Sequence, residues 1–299
     1  MASISIHKGR RILVTGAGGA LGAALLGHLQ NQGWWVRALV LPNTVPELAG
    51  ANETCQGDVC EPSSLQSALT GVDVVLHMAG LILSRDANIL QLVNTQGTCN
   101  MLTACAQAGI RRFVYVSSTS VEYPKRNAYA QSKWDAEQAV RASNLDWTIV
   151  RPTLLVGKGG GAEYNMFAKL VRWPLVALPA GGYARKRPVH VQDLAVGLVA
   201  LLPNPATISN TYSLAGCEVI SLRRMLAELA YANQRPYPLV IPIPTWFLVP
   251  WAKLLDHFPL RFSASQALMG LGEDAVPSID DAVRDFGFAP KSVQGRWNE

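Results

Sequence analysis

Apolar runs and helical patterns alternate through the first 150 residues. Arg11-Ile-Leu-Val-Thr15 is a short β-branched run, and Leu21 to Gln32 then carries helical periodicity. Trp35 to Leu41 is apolar again and stops at Pro42. Val72-Asp-Val-Val-Leu-His77 predicts a third strand, and Ile89 to Ala108 a long helix. Arg112-Phe-Val-Tyr-Val-Ser117 predicts a further strand, Tyr129 to Ser143 a helix, and Trp147-Thr-Ile-Val-Arg151 a strand stopped by Pro152. Strands that alternate with helices imply βαβ units and a parallel sheet. Their nearly continuous apolar character is that of strands covered on both faces. The expected fold class is α/β, a doubly wound parallel sheet.

After Pro152 the rhythm changes. Gly157 to Gly161 is a glycine-rich loop, and Pro174, Pro179, Gly181 and Gly182 follow. Helical stretches are expected at 164–172, 192–202 and 221–232, with a short strand near 210–214. The pattern predicts a sheet domain over residues 1–152 and a smaller, loop-rich lobe over 153–299. A segment of that second half, about 188–202, is expected to return to the sheet.

The chain has 299 residues, enough to bury a substantial core without disulfides or metals. Hydrophobic residues make up 49% and charged residues 16%, which excludes a disordered chain. Five cysteines are odd in number and lack paired metal-ligand spacing, so they are expected to be reduced thiols in a cytoplasmic protein. The five histidines form no ligand spacing either, and no metal is expected. The net charge is +5, most of it in the second half. There is no long Lys/Arg run and no basic helix interleaved with aromatics, which argues against nucleic acid. The first eleven residues lack the apolar core of a signal peptide. The most apolar stretch, Leu239 to Leu255, is interrupted by Pro242, Pro244 and Pro250 and cannot form a regular span.

Between the first strand and first helix lies Thr15-Gly16-Ala17-Gly18-Gly19-Ala20-Leu21-Gly22. Gly16, Gly19 and Gly22 allow a tight turn, close approach of a pyrophosphate, and close packing of helix on strand. The free N–H groups of the helix then face the phosphates. Ala20 and Leu21 complete the expected phosphate-binding turn. An acidic residue at the tip of the second strand would bind the ribose of NAD, and a basic one the extra phosphate of NADP. Residues 36–46 hold no Asp or Glu, a slight lean toward NADP over NAD. Arg37 in that strand is read equally as a solvated residue or a ligand.

Tyr129 and Lys133 are four apart, so they share one helical face. An ammonium beside a phenol lowers its pKa, and the phenol can then exchange a proton with a carbinol or carbonyl. Ser118, at the end of a strand, would hold the substrate oxygen.

With these motifs in order, the chain resembles the short-chain dehydrogenase/reductase superfamily in its extended or atypical branch. The resemblance rests on the glycine turn, Gly57-Asp58-Val59, Leu76-His-Met-Ala-Gly80, and Val93-Asn94 to Gly97-Thr98. It continues in Phe113-Val-Tyr-Val-Ser-Ser118, Tyr129 to Lys133, Arg151-Pro152 with Gly157, and Pro188-Val-His-Val-Gln-Asp193. It implies a Rossmann-type sheet with a small C-terminal substrate lobe and an NAD(P)-dependent oxidoreductase. Asp58 and Val59 would lie at the adenine, and Ala79, Gly80 and Asn94 would line the cofactor. Lys133 would bind the nicotinamide ribose. Two subgroups are similar. One is the nucleotide-sugar epimerases, dehydratases and 4-ketoreductases. The other is the NAD(P)H-binding accessory subunit of respiratory complex I and its free-standing relatives, which residues 139–152, 210–216 and 262–268 resemble. Only eleven positions separate Ser118 from Tyr129, shorter than in most sugar epimerases.

Arg185-Lys186-Arg187 is the densest basic cluster. Arg185 and Arg187 are read either as ligands of an anionic substrate or as solvated loop residues. His77 and His190, in apolar strands, are expected to be structural. The substrate is expected to be a small molecule, anionic or apolar. Alternatives to the oxidoreductase are the sugar-nucleotide activities and a non-catalytic NAD(P)H-binding accessory protein. Pro238 to Phe258 is expected to form a helix over the substrate cleft, or else a segment in peripheral contact with a membrane.

Overall fold

The computed structural model describes residues 9–44, 48–244, 246–247, 250 and 270–299. Its centre is a seven-stranded parallel sheet. The strands of the first half are β1 (Arg11–Thr15), β2 (Trp35–Val40), β3 (Glu53–Gln56), β4 (Val74–His77), β5 (Arg112–Val116) and β6 (Asp146–Pro152). In the second half β7 (Leu155–Val156), β8 (Leu175–Pro179), β9 (Arg185–Lys186) and β10 (Val189–His190) precede β11 (Asn210–Leu214), β12 (Ile220–Ser221) and β13 (Leu239–Ile243). The order across the large sheet is β11-β6-β5-β4-β1-β2-β3. The chain runs outward from β1 in both directions, so the crevice at the carboxyl ends of β1 and β4 is the topological switch point where such sheets bind ligands.

Helices cover both faces: α1 (Ala20–Asn31), α2 (Leu65–Leu69), α3 (Ala87–Leu90), α4 (Gly97–Gln107) and α5 (Ala128–Ala142), then α7 (Val191–Leu201) and α9 (Asp280–Phe286), while α6 (Ala162–Leu170) and α8 (Leu222–Ala232) belong to the lobe. On one face Leu25, Leu26 and Leu29 of α1 and Leu194 and Leu198 of α7 are fully buried with Ile12, Val14 and Val36. Each such side chain contributes roughly 1.5–3 kcal/mol by leaving water. On the other face Met101 and Cys105 of α4 and Ala136 and Val140 of α5 bury Leu13, Val75 and Phe113.

The run expected as a third strand is the fourth. The strand before it, Glu53-Thr-Cys-Gln56, is polar and mostly exposed because it is the sheet edge. The single helix expected over Ile89–Ala108 is divided: Gln91–Gln96 forms a π-helical segment between α3 and α4, with Asn94 inside it. Arg37 is neither solvated nor at the strand tip. It is 7% exposed, paired with Glu53 at 2.9 Å, and donates to the carbonyls of Ala68 and Thr70.

The second half does not stay in the lobe. β10 pairs with β7, α7 packs on α1, and β11 extends the main sheet beside β6. The lobe core gathers Phe167, Val176, Leu178, Met225, Leu226, Leu229 and Trp297. Its strands are two small pairs, β9 with β12 and β8 with β13. The helix expected to start at Pro238 is instead the strand β13; most of the remaining residues to Phe258 lie outside those described. Among the described residues, no helix is long and apolar enough to cross a membrane.

Candidate active site

The glycine turn has the close approaches its spacing demands. Gly16 lies at φ +71°, and a Cβ there would stand 2.8 Å from the Ala79 nitrogen. A Cβ at Gly22 would stand 2.1 Å from the Ala17 carbonyl oxygen. Gly19 is the N-cap of α1 and supplies no side-chain cap, so the first N–H groups of the helix remain for a ligand. Gly18, Gly19 and Ala20 are exposed at the rim, and Leu21 is half-buried. A backbone cradle, a free helix N-terminus and an open rim fit a dinucleotide pyrophosphate.

A buried chain of hydrogen bonds joins this turn to the rest of the site. Thr15 Oγ1 accepts from the amides of Met78 and Ala79 at 3.1 and 3.0 Å. With both lone pairs taken, its own proton goes to His77 Nδ1, 2.8 Å away. His77 must then carry its proton on Nε2, which donates to Thr98 Oγ1 at 3.2 Å. Thr98 in turn donates to the Asn94 carbonyl at 2.6 Å. Burial, and secondarily the charge of Lys133, push the His77 pKa down to about 3, so the ring is neutral. His77 thus has the structural role expected. His190 is only partly satisfied: Nδ1 meets the Gln192 amide and Arg296, while its buried Nε2 has no partner among the described residues.

Asn94 is the next bracket. Its Oδ1 accepts from the Leu81 amide at 2.7 Å, and its Nδ2 donates to the Leu81 carbonyl and to Ser132 Oγ, each at 2.9 Å. Ser132 Oγ donates to the Tyr129 carbonyl at 2.8 Å. The loop after β4, carrying Ala79 and Gly80, is thereby tied to the helix that carries Tyr129 and Lys133. Lys133 is 4% exposed, and its Nζ donates to the Val116 carbonyl at 2.7 Å and lies 4.5 Å above the Tyr115 ring. Burial pushes its pKa down to about 7, against the opposing pull of Glu137. A Cβ on Gly80 would stand 3.5 Å from this Nζ, so the loop and the ammonium meet.

Ser118 lies two residues past the end of β5 and caps the short turn that follows. Its Oγ accepts from Ser120 N at 3.2 Å and Ser120 Oγ at 2.9 Å. Two incoming bonds leave its own proton to donate. Asp58 closes a turn, accepting from the Cys60 amide, and Val59 packs against Gly97.

Arg185 and Arg187 are bonded to none of these residues among the described contacts. Arg185 pairs with Asp274 at 2.9 Å, and Arg187 donates to the carbonyls of Gly216 and Pro277. Between them Lys186 is buried and donates to the carbonyls of Gly270 and Glu273. The basic cluster fastens residues 270–277 to the lobe. A cavity of about 540 Å³ lined by His28, Trp34 and Val196 lies between α1 and α7 and contains none of these residues. Ser120 and Ser132 were not singled out from sequence; their position beside Ser118 and Lys133 was the available signal.

The family whose profile matches, described as NAD(P)H-binding, covers residues 16–205, from the glycine turn to just past α7. The chain belongs to that family. Its relatives place it in the extended, epimerase/dehydratase-like branch of the short-chain dehydrogenases/reductases, and it is an NAD(P)-dependent oxidoreductase-type enzyme. It is 28% identical to a 3 beta-hydroxysteroid dehydrogenase/Delta 5-->4-isomerase of Mycobacterium tuberculosis, over 97% of this chain and 88% of the relative. It is 29% identical to a 2-alkyl-3-oxoalkanoate reductase of Stenotrophomonas maltophilia, over 94% and 95%. A dTDP-glucose 4,6-dehydratase from Streptomyces venezuelae, solved with NAD bound, shares the fold at a TM-score of 0.73 and 20% identity, over 94% and 92%.

Proposed function

We propose that the enzyme interconverts a ketone and a secondary alcohol on a largely apolar substrate, with Ser118, Tyr129 and Lys133 as its catalytic residues. The observation that carries this reading is Lys133, a fully desolvated amine held on the Val116 carbonyl, one helical turn from Tyr129 and against the Gly80 loop. A lysine buried so deeply without a carboxylate bonded to Nζ is destabilising on its own. It is explained by a ligand hydroxyl for it to hold and a phenol for it to polarise.

The nicotinamide dinucleotide, when bound, supplies or accepts the hydride. Gly16, Gly19 and the N-terminus of α1 would hold its pyrophosphate, and Asp58 and Val59 would border its adenine. Ala79, Gly80 and Asn94 would line its path to the site. We lean to NADP on the absence of acidic residues after β2, with NAD as the alternative. In the reduction direction Ser118 donates a hydrogen bond to the substrate oxygen. Tyr129 then gives its phenolic proton to that oxygen, and the Lys133 ammonium favours the phenolate left behind.

Two features favour carbonyl–alcohol chemistry over elimination or a sugar-nucleotide substrate. An elimination needs an acid and a base beyond the tyrosine, but Ser118 is followed by Thr119 and Ser120. Thr119 is bonded to the Pro152 carbonyl, and the next carboxylate, Glu122, is paired with Arg151 at 2.6 Å. The guanidinium groups of Arg185 and Arg187, which one of their two readings gave to an anionic substrate, already have partners. The named activities of the steroid and alkanoate relatives point to the same apolar class.

The test is turnover of NADH and NADPH against a panel of apolar ketones, including 3-oxosteroids and 2-alkyl-3-oxoalkanoates. Tyr129→Phe should lower turnover by about 10²–10⁴-fold while cofactor affinity stays within a few fold. Normal turnover in that variant would exclude the assignment.

A further inference from the structure

The pair β8–β13 is apolar on both of its faces. The two strands run parallel with Leu175 beside Leu239 and Ala177 beside Ile241. Alternation sends Val176, Leu178 and Val240 into the lobe core. It also turns Leu175, Leu239 and Ile241 outward, where they are 51%, 67% and 37% exposed. A sheet with one solvated face ordinarily carries polar residues there. Here that face is aliphatic, and aromatic residues mark its two ends. Trp173 (66% exposed) precedes β8, and Trp246 (77% exposed) follows β13.

The two segments that build this face carry charge of one sign. No Asp or Glu occurs in residues 164–192 or 229–255. Because the strands are parallel and the Leu239 amide donates to the Pro174 carbonyl, their starts lie side by side. Arg172 and Arg235, a few residues before each start, therefore gather at the same end, both exposed. Neither is in an ion pair among the described residues.

We propose that this face docks on an anionic lipid surface, with Leu175, Leu239 and Ile241 entering the headgroup–acyl boundary. Tryptophans at both ends match the interfacial preference of the indole, and the two arginines match the negative leaflet. An apolar rim without acidic residues suits a bilayer better than a soluble protein partner, whose recognition would call for polar contacts at the edge. The docking stands independently of the Ser118–Tyr129–Lys133 reading. It would let an apolar substrate reach the lobe without crossing water.

Flotation of the full chain with vesicles tests this. The expected result is co-flotation with phosphatidylcholine vesicles containing about 30% phosphatidylglycerol, at low salt, and loss of most binding at about 0.5 M salt. Arg172→Gln with Arg235→Gln should weaken the vesicle affinity by about tenfold or more. Leu239→Gln with Trp246→Gln should do the same, with NAD(P)H binding unchanged as the control for folding, since these side chains are exposed. Protein that stays in the soluble fraction overturns the proposal, as does flotation insensitive to Leu239→Gln with Trp246→Gln. A dimer in sedimentation that Leu239→Gln dissolves would assign the face to a second copy and overturn it too.

Discussion

Lys133 Nζ donates to the main-chain carbonyl of Val116 at 2.7 Å, so the ammonium proposed as catalytic, on α5, is held by the last residue of β5. This fixes the lysine to the sheet rather than to its own helix. The amine has almost no water, and its pKa falls from 10.5 to about 7. The charged form is therefore disfavoured in the fold. That penalty is fully present below about pH 7. It is relieved as pH rises from 7 toward 10.5, because only the unfolded chain binds the extra proton there. The thermal midpoint of the ligand-free protein should rise across this window, and Lys133→Met should flatten the rise. Parallel pH–melting curves of the two proteins would show it.

Asn94 should matter to both stability and rate. Asn94→Ala leaves the Leu81 amide and carbonyl without their side-chain partner and frees Ser132 from the loop. The expected cost is about 1–3 kcal/mol in urea unfolding. A fall in turnover with cofactor affinity reduced in parallel should accompany it, because the Gly80 loop is no longer tied to α5.

The glycines of the turn should separate into two kinds. Gly22→Ala drives a Cβ into the Ala17 carbonyl and should lower the melting temperature. A Cβ on Gly19 stands 3.2 Å from the Gly16 carbonyl oxygen, tight but within reach of a small shift. Gly19→Ala should thus fold and yet bind NAD(P)H about tenfold more weakly or worse, because it crowds the phosphates at the helix N-terminus. Calorimetry and cofactor fluorescence on each variant would distinguish the two effects.

Arg37 gives the opposite kind of expectation. Arg37→Met should cost about 2–3 kcal/mol, as two carbonyls and Glu53 lose a buried donor. The preference between NAD and NADP should not change. A shifted preference would show that Arg37 reaches the cofactor.

The main sheet was legible because strands buried on both faces have continuous apolar runs, as in Ile12-Leu-Val14 and Val74-Val-Leu76. β3 was not, because an edge strand needs no apolar face. Two-residue strands such as β9 and β10 are too short to carry a period. In the candidate site, the shared helix of Tyr129 and Lys133 was legible from spacing, and the glycine turn from its punctuation. Arg37 misled because a charge in a strand suggests solvent, and its buried acceptors come from residues 31 and 33 positions away. The role of Asn94 as a bracket was hidden for the same reason: its partners lie 13 and 38 positions away.

The segment from α9 to Trp297 enters both cores in turn. Phe288 packs against Gly197 of α7, and nine residues later Trp297 fills the lobe, where its carbonyl accepts from Tyr164 and its indole donates to Glu228. Between them Arg296 binds Asp193 of α7 at 2.9 Å. This stretch therefore stitches the lobe to the sheet through Phe288, Arg296 and Trp297, so that loosening it uncovers apolar surface in both cores at once. The buried amide of Phe288, bonded to the Ala282 carbonyl, should exchange slowly with solvent, because it opens only when this stretch comes off the sheet domain.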